Sequence, residues 1–543
     1  MKYVSVSEMI TIEKEANSNG LSYDEMMENA GNGLANVILE EYQDIRDPSA
    51  VGLIGSGNNG GDTLVALALL AEAGWKTAAY IVKTRAMDDP LVSRFIKTGG
   101  KIYSTDEDSD FNILCDLLGE HELLLDGVLG TGIKLPLKGK VAQVLEATRD
   151  QIEDMEDPPE VVAVDCPSGV DSDSGEVALQ CLCANLTVTM AAIKAGLLTF
   201  PAYNYIGKLK LVGIGLSEND KRSKTWRKIN TIVADSHHIQ KLIPNRPLDA
   251  HKGTFGTALV VAGSVNYTGA AMLAGKAAYR SGAGLVTLAV PSPVYQVLAG
   301  HFPEATWILL PHEMGVISVD AARVLNRNLE RPTALLIGPG LGVEDTTKNF
   351  LVDLIGRGAR RSSKNIGFVA YPSECDPGEE KVLPPVVIDA DGLKLLKEID
   401  NWQEKVHAPA VLTPHPGEMS ELTGLSTNEI QTNRRSIAQK YSKIWGHVVV
   451  LKGAHTIIAS PDSRLTIIPI ATASLARAGT GDVLAGIIVG LLAQGIEPYD
   501  SAVAGCWIHA RAGLHAEASI GNSASVVAGD VLDGIANELS ELT

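Results

Sequence analysis

The stretch AVGLIGSGNNGGDTLVALALLAEAG, Ala50 to Gly74, runs from an apolar strand-like segment through a glycine-rich turn into a helix-like pattern. Strand, glycine turn and helix form the opening unit of a doubly wound α/β sheet, in which the turn exposes backbone N–H groups to an anion at the helix start. Gly55, Gly57 and Gly60 have G-x-G-x-x-G spacing. A dinucleotide fingerprint of that kind is completed about 20 residues on by an acid that holds the ribose. Here the next strand candidate, TAAYIVK, ends in Lys83, so the ordinary fingerprint is incomplete.

Working outward, AVGLIG, TAAYIVK, ELLLDGVLG, VVAVDCPSG, ANLTVTMAA and KLKLVGIG alternate with helical patterns. Their near-continuous apolarity predicts strands covered on both faces, hence a parallel, doubly wound sheet. After Gly215 the pattern stops at SENDKRSKTWRKIN, which reads as a charged linker. Strands resume with TALVVAGS, GLVTLAV, ATWILL, TALLIGPG, VVID, AVLTPH and HVVVLKGAHTIIAS, interleaved with alanine-rich helices. The reading is therefore an α/β domain over residues 1–216, a linker over 217–233 and a second α/β domain over 234–543. Within the latter, RGARRSSKNIGFVAYPSECDPGEEK, residues 357–381, lacks clean periodicity and reads as a surface insertion.

The whole chain has 543 residues, 45% of them hydrophobic and 20% charged, with a formal net charge of -19. That length calls for more than one core, and that charge repels a phosphate backbone, so nucleic acid is excluded as a partner. The opening MKYVSVSEMITIEKEA lacks the apolar core of a signal peptide. The longest apolar stretch, VLAGIIVGLLA, is too short to span a bilayer, so no membrane association is expected. Cys115, Cys166, Cys181, Cys183, Cys375 and Cys506 have no paired metal spacing and fit reduced thiols in the cytoplasm.

Chemically suggestive clusters fall where strands end, the edge at which open α/β sheets bind ligands. In the first half these are NNGGDT at 58–63, DGVLGTGIKLP at 126–136 and DCPSG at 165–169. Asn59, Asp126 and Ser168 offer hard oxygens of low total charge, suited to a monovalent or weakly held cation rather than zinc. Asp165 ends an apolar strand and is a candidate general acid or base. Taken singly, each glycine run could be a tight turn and each aspartate a cap. Lys194 in AAIKAG reads as a solvated lysine, with pairing to a phosphate as the alternative.

NNGGD, the DGVLGTG segment and DxPSG together resemble the NAD(P)H-hydrate epimerase domain over nearly all of residues 1–216. That resemblance implies a Rossmann-like domain that interconverts the R and S hydrates of NADH and NADPH at C6. It further implies substrate contacts from Asn58, Asn59, Gly60, Gly61 and Asp62 and from Gly130, Thr131, Gly132, Ile133, Lys134, Leu135 and Pro136. Asn59, Asp126 and Ser168 would hold a potassium ion (K+), and Asp165 would contact the hydrate as the acid/base group. The family continues NNGGDG, whereas this chain has Thr63 in place of the last glycine, a β-branched residue that could alter the loop.

In the second half, ASLARAGTGDVLAGIIVGLLAQG places the turn Gly479, Thr480 and Gly481 before a long apolar helix. Its free N–H groups and dipole suit a transferring phosphoryl group, with Asp482 placed to deprotonate an attacking hydroxyl. The companions are HKGTFG, GAGLVT, GPGLG, DADGL, TPHPGEM and KGAHT, and there is no Walker A sequence. Asp389 and Asp391 are equally readable as supports of the site and as structural acids.

This set resembles the ribokinase-like superfamily and, within it, the ADP- or ATP-dependent NAD(P)H-hydrate dehydratases, over about Ala234 to Thr543. The implied contacts to the hydrated cofactor are Gly342, His415, Pro416, Gly417, Glu418, Met419, Ser420, Glu421 and the catalytic Asp482. The implied contacts to ADP or ATP are Lys452, Gly453, Ala454, His455 and Thr456, followed by Thr472, Ala473, Ser474, Leu475, Ala476, Arg477, Ala478, Gly479, Thr480 and Gly481. Magnesium (Mg2+) would neutralise the nucleotide phosphates. The leading expectation is a bifunctional repair enzyme acting on small molecules, hydrated NADH and NADPH, as a homo-oligomer. The alternatives are a ribokinase-like vitamin-precursor kinase and a dinucleotide-binding regulatory module in the first half.

Overall fold

The computed structural model describes residues 1–86, 88–355 and 383–543, so the insertion expected at 357–381 and Cys375 lie outside the described residues. The chain divides into two compact units, Met1–Val233 and Ala234–Thr543.

The first unit carries a seven-stranded parallel sheet. Its strands are β1 Ser49–Ile54, β2 Lys76–Ile81, β3 Lys101–Ser104, β4 Leu123–Gly127, β5 Glu160–Val164, β6 Leu186–Met190 and β7 Lys208–Val212. They lie in the order β3-β2-β1-β4-β5-β6-β7, so the winding reverses between β1 and β4. Ligands of such sheets bind outside that reversal. Helices α1 Val6–Ser18 and α2 Tyr23–Glu41 open the unit, and both start at a serine whose side chain completes a capping box. Helix α3, Asn58–Glu72, follows the glycine turn and is buried along most of its length between α2 and the sheet. Lys101–Ser104 escapes the sequence reading because KIYS is an edge strand of mixed polarity with no fully buried residue.

In the second unit the parallel strands are β8 Thr257–Val261, β9 Leu285–Pro291, β10 Thr306–Leu310, β11 Ala334–Ile337, β12 Val386–Ile388, β13 Ala410–Leu412 and β14 Val448–Leu451. The run HVVVLKGAHTIIAS, expected as one strand, folds back on itself as β14 and β15 Ile457–Ala459, with β16 Leu465–Ile467 antiparallel beyond. The turn between them contains Gly453 at φ +138, a conformation that glycine alone adopts without strain. The order is β16-β15-β14-β13-β12-β11-β8-β9-β10, with a second reversal between β11 and β8. Helices α4 Thr268–Arg280 and α6 Thr480–Ala493 pack closely, since a Cβ on Gly486 would stand 2.3 Å from the Ala274 carbonyl. Helix α5, Pro416–Thr423, follows β13, and α7 Pro498–Ile520 and α8 Ala528–Leu542 close the unit. No helix among the described residues is long and apolar enough to cross a membrane.

Residues 217–233 are not a free linker. They belong to the first unit, with Trp226 only 5% exposed in its core. The Trp226 indole donates to the Ser217 carbonyl at 2.8 Å and the Lys2 ammonium donates to the Trp226 carbonyl at 2.8 Å. The charged neighbours mask this one anchoring aromatic, which is why the stretch reads as a linker. Trp226→Ala is expected to destabilise the first unit by about 3–5 kcal/mol, the usual cost of emptying a buried aromatic site. Urea unfolding followed by circular dichroism checks this, and an unchanged midpoint would return the stretch to linker status.

Candidate functional sites

At the first reversal, backbone crowding shapes the floor of the site. A Cβ on Gly55 would lie 2.0 Å from the Val128 carbonyl oxygen and one on Gly60 would lie 2.1 Å from the Gly55 oxygen. The chain after β1 therefore presses against the chain after β4, and α3 starts at Gly57 with no side-chain cap. Its first N–H groups are left for a ligand. Above lies a cavity of about 410 Å³ bounded by Asn58, Asn59, Asp62, Gly130, Thr131, Gly132, Ile133 and Asp165. Gly60 and Gly61 lie buried within the first turn of α3 and do not line it. Lys134, Leu135 and Pro136 line an adjoining hollow of about 400 Å³ that shares Gly132 and Ile133 with the first.

Beneath the cavity, Asp126 is fully buried at the end of β4. Its carboxylate accepts from the Ser168 hydroxyl at 2.5 Å and the Ser168 N–H at 2.7 Å. The Asn59 amide donates to the Leu129 and Val164 carbonyls at 3.1 and 2.6 Å, which leaves its oxygen, beside Gly130, without a donor among the described residues. Burial pushes the Asp126 carboxyl upward, opposed by its bonds to Ser168. A buried carboxylate bonded to a hydroxyl, with no ammonium or guanidinium partner among the described residues and an amide oxygen from the same strand-end loops, is a donor set that fits a hard monovalent cation.

Asp165 sits just past β5 at φ +66, a left-handed backbone that turns its carboxylate back toward β6. It accepts from the Met190 N–H at 2.9 Å and the Thr189 hydroxyl at 3.2 Å, and it is ion-paired with Lys194. Lys194, expected as a solvated lysine, is 1% exposed and also donates to the Met190 carbonyl at 2.8 Å. Glu13, from α1, lines the same cavity and has no sequence signal beyond an acid on an amphipathic helix. Lys194 could have been suspected, since it interrupts an otherwise apolar run.

In the second unit, the Lys452 ammonium meets the Asp389 carboxylate at 2.7 Å and that of Glu418 at 3.7 Å. Thr413 donates to the same Asp389 oxygen at 2.7 Å. A Cβ on Gly481 would stand 3.7 Å from the Lys452 ammonium and 4.0 Å from Asp389, so the α6 start faces this pair. Helix α6 begins at Gly479, φ +89, again with no side-chain cap. Burial, then the nearby Asp389 carboxylate, pushes the Asp482 carboxyl up to about 7, with Lys452 opposing. Burial works against the Lys452 ammonium, yet Asp389 and Glu418 hold it above its ordinary value.

The other expected contacts divide. The Gly342 N–H donates to Asp391 at 3.0 Å, which fixes the GPGLG turn to the helix after β12. His415 Nδ1 accepts from the Gly417 and Glu418 N–H groups at 3.0 and 3.2 Å, so the start of α5 at Pro416 is already capped, unlike that of α6. Met419 is fully buried and the Ser420 hydroxyl is occupied by the Leu425 carbonyl at 2.6 Å, whereas Glu421 is exposed. Thr472 and Ser474 both donate to Glu517, at 2.8 and 2.7 Å, which ties the loop ahead of α6 to α7. Arg477 reaches the Ala524 carbonyl, and the Thr480 hydroxyl bonds the Leu475 carbonyl at 2.8 Å. Gly453 packs beside the Arg434 guanidinium, Thr456 donates to its carbonyl at 2.9 Å, and His455 takes a left-handed φ of +53.

Residues 258–536 match the NAD(P)H-hydrate dehydratase family model, and residues 23–196 match that of the YjeF-related protein N-terminus. The bifunctional NAD(P)H-hydrate repair enzyme of Moorella thermoacetica is 34% identical over 514 residues, covering 94% of this chain and 91% of the relative. The chain belongs to the family of bifunctional NAD(P)H-hydrate repair enzymes. The Escherichia coli member is 32% identical, over 91% of this chain and 85% of its own. An ADP/ATP-dependent NAD(P)H-hydrate dehydratase from Bacillus subtilis, co-crystallised with ATP and magnesium, aligns at 29% identity and a TM-score of 0.47 over 58% of this chain and 100% of its own.

For a repair enzyme of this family the departure at Thr63 is accommodated. Thr63 is fully buried, its hydroxyl donates to the Asn59 carbonyl at 2.6 Å, and it does not line the cavity. The space comes from Gly127 opposite, where a Cβ would lie 2.0 Å from the Thr63 hydroxyl. The buried ion pair generates the prediction from this site. Lys194→Met leaves the Asp165 carboxylate, with a side chain only 10% exposed, without a counter-charge. A loss of about 3–5 kcal/mol in unfolding free energy is expected, partly recovered when Asp165→Asn is added. Chemical denaturation of the single and double variants measures both.

Proposed function

We propose that the first unit interconverts the R and S hydrates of NADH and NADPH at C6 while the second dehydrates the S form with an adenine nucleotide. The observation that carries this reading is the pairing of an uncapped glycine helix start with a carboxylate in each unit, the buried Asp165 beside α3 and the half-buried Asp482 on α6. In the first unit, the free N–H groups after Gly57 and the Gly130–Gly132 loop bind the hydrate, and Asp165 moves a proton at the C6 oxygen. Asn59, Asp126 and Ser168 would hold potassium, whose charge would offset the Asp126 carboxylate and supply polarisation of a substrate oxygen.

In the second unit, Asp482 takes the proton of the 6-hydroxyl as that oxygen attacks the terminal phosphoryl of ADP or ATP. The N–H groups of the α6 start stabilise the charge on that phosphoryl. The ring nitrogen lone pair then expels phosphate from C6, and loss of the C5 proton restores the dihydropyridine. Lys452, oriented by Asp389, supplies positive charge toward the nucleotide phosphates. Magnesium neutralises the remaining phosphate charge when bound with the nucleotide.

A base that titrates near neutrality is close to the optimum for proton transfer at cellular pH. Asp482 must be ionised to act, so kcat/KM for dehydration is expected to rise through pH of about 7 and level off above it. Asp482→Ala should lower nucleotide-dependent recovery of reduced-cofactor absorbance by about 10²- to 10⁴-fold. Retention of the full rate would remove Asp482 from the mechanism. For the cation, exchanging potassium for lithium should slow epimer exchange in proton NMR. Potassium should restore the wild type but not Asp126→Asn.

A further inference from the structure

The cavity of the first unit holds more acid than the reading above uses. Glu13, Asp62 and Asp165 all line it, around the single buried ammonium of Lys194. Lys194, Thr189 and the Met190 N–H are committed to Asp165. Asp62 is 6% exposed and, among the described residues, has neither a hydrogen-bond nor an ion-pair partner. An ionised carboxylate is not stable in such surroundings unless paired. Two carboxyls of one cavity, one fully served by donors and one served by none, are the arrangement that separates an acid from a base.

Inversion at C6 by loss of the oxygen from one face of the ring and its return to the other needs a proton carrier for each event. Asp62 projects from α3 and Asp165 from the end of β5, two different walls of the cavity. We propose that Asp62 is a second catalytic residue of the epimerisation, the neutral acid that protonates the departing 6-hydroxyl while Asp165 accepts a proton from the water that adds to the opposite face. This rests on the epimerase reading of the first unit. The C6–O bond breaks as the ring nitrogen lone pair forms the N1=C6 iminium, and water leaves with the proton of Asp62. A second water adds at C6 and gives its proton to Asp165. The net transfer from Asp62 to Asp165 is reversed either by proton return between the two or by turnover of the opposite epimer. The direction of the Asp62 shift agrees: burial, then Asp165 and Glu13, raise its carboxyl well above the usual range, with Lys194 opposing.

The test uses the full chain with potassium and a mixture of R and S hydrates of NADPH. Asp62→Asn is expected to lower kcat for exchange in proton NMR by about a hundredfold or more, with KM changed by less than about threefold and an unchanged melting temperature. If Asp62→Asn exchanges the epimers at the wild-type rate while Asp165→Asn does not, the proposal is overturned and the epimerase reading stands. If the wild type itself does not exchange them, both fail. Glu13→Gln provides a second measurement that leaves Asp62 in place. Besides Asp62, the charged and titratable groups bounding the cavity are Glu13, Tyr23, Lys83, Asp165 and Lys194. Removing the Glu13 charge makes Asp62 lose its proton at lower pH, so the alkaline limb of the exchange profile should move down. An unmoved limb, or exchange in oxygen-18 water without label entering the epimerised product, overturns the proposal.

Discussion

Two stretches of backbone held closer than a Cβ allows set the geometry of both units. After β1 the chain lies against the Val128 and Gly127 carbonyls, and after β11 Gly338, at φ +131, lies where a Cβ would be 1.8 Å from the Asp389 carbonyl. The first contact sits at the reversal of strand order between β1 and β4, where neighbouring strands feed helices on opposite faces of the sheet, and the second lies between β11 and β12, one strand from the reversal at β8. Asp126, at the end of β4, and Asp389, just past β12, lie beside these contacts with little or no exposure.

Buried charge follows from that placement, and each unit resolves it differently. The second pairs Asp389 with Lys452 at 2.7 Å and so leaves Asp482 with burial and a nearby carboxylate, which raises its carboxyl to about 7. The first spends its buried ammonium on Asp165 and offers Asp126 only hydrogen bonds from Ser168 and a backbone N–H. Hence one unit presents a carboxyl raised toward neutrality beside an uncapped helix start, and the other presents a buried carboxyl, Asp126, paired with no buried ammonium among the described residues.

Much of this was legible in the residue order. Near-continuous apolar runs named most of the strands, and the strand-end motifs named Asn59, Asp126, Asp165, Ser168 and Asp482. The misses share a cause. Edge strand β3 and the packed Trp226 segment are set by neighbours distant in the chain rather than by local period, and the hairpin of β14 and β15 by the turn at Gly453 that interrupts one apolar run. Lys194 was misread because lysine is seldom found buried without a partner, and its partner stands 29 residues earlier. Glu13 was invisible because only the packing of the unit brings α1 to the cavity wall.

The residue order alone therefore determined the strand-turn-helix units, the glycines that permit close backbone approach and the identity of the strand-end acids. These are local properties of period, volume and φ. Which acid is paired with a buried ammonium, which helix start lacks a side-chain cap and which has one depended on the tertiary structure. Pairing and capping are decided by groups that meet across space, as Lys194 meets Asp165 and His415 closes the start of α5, while among the described residues no side chain caps that of α6.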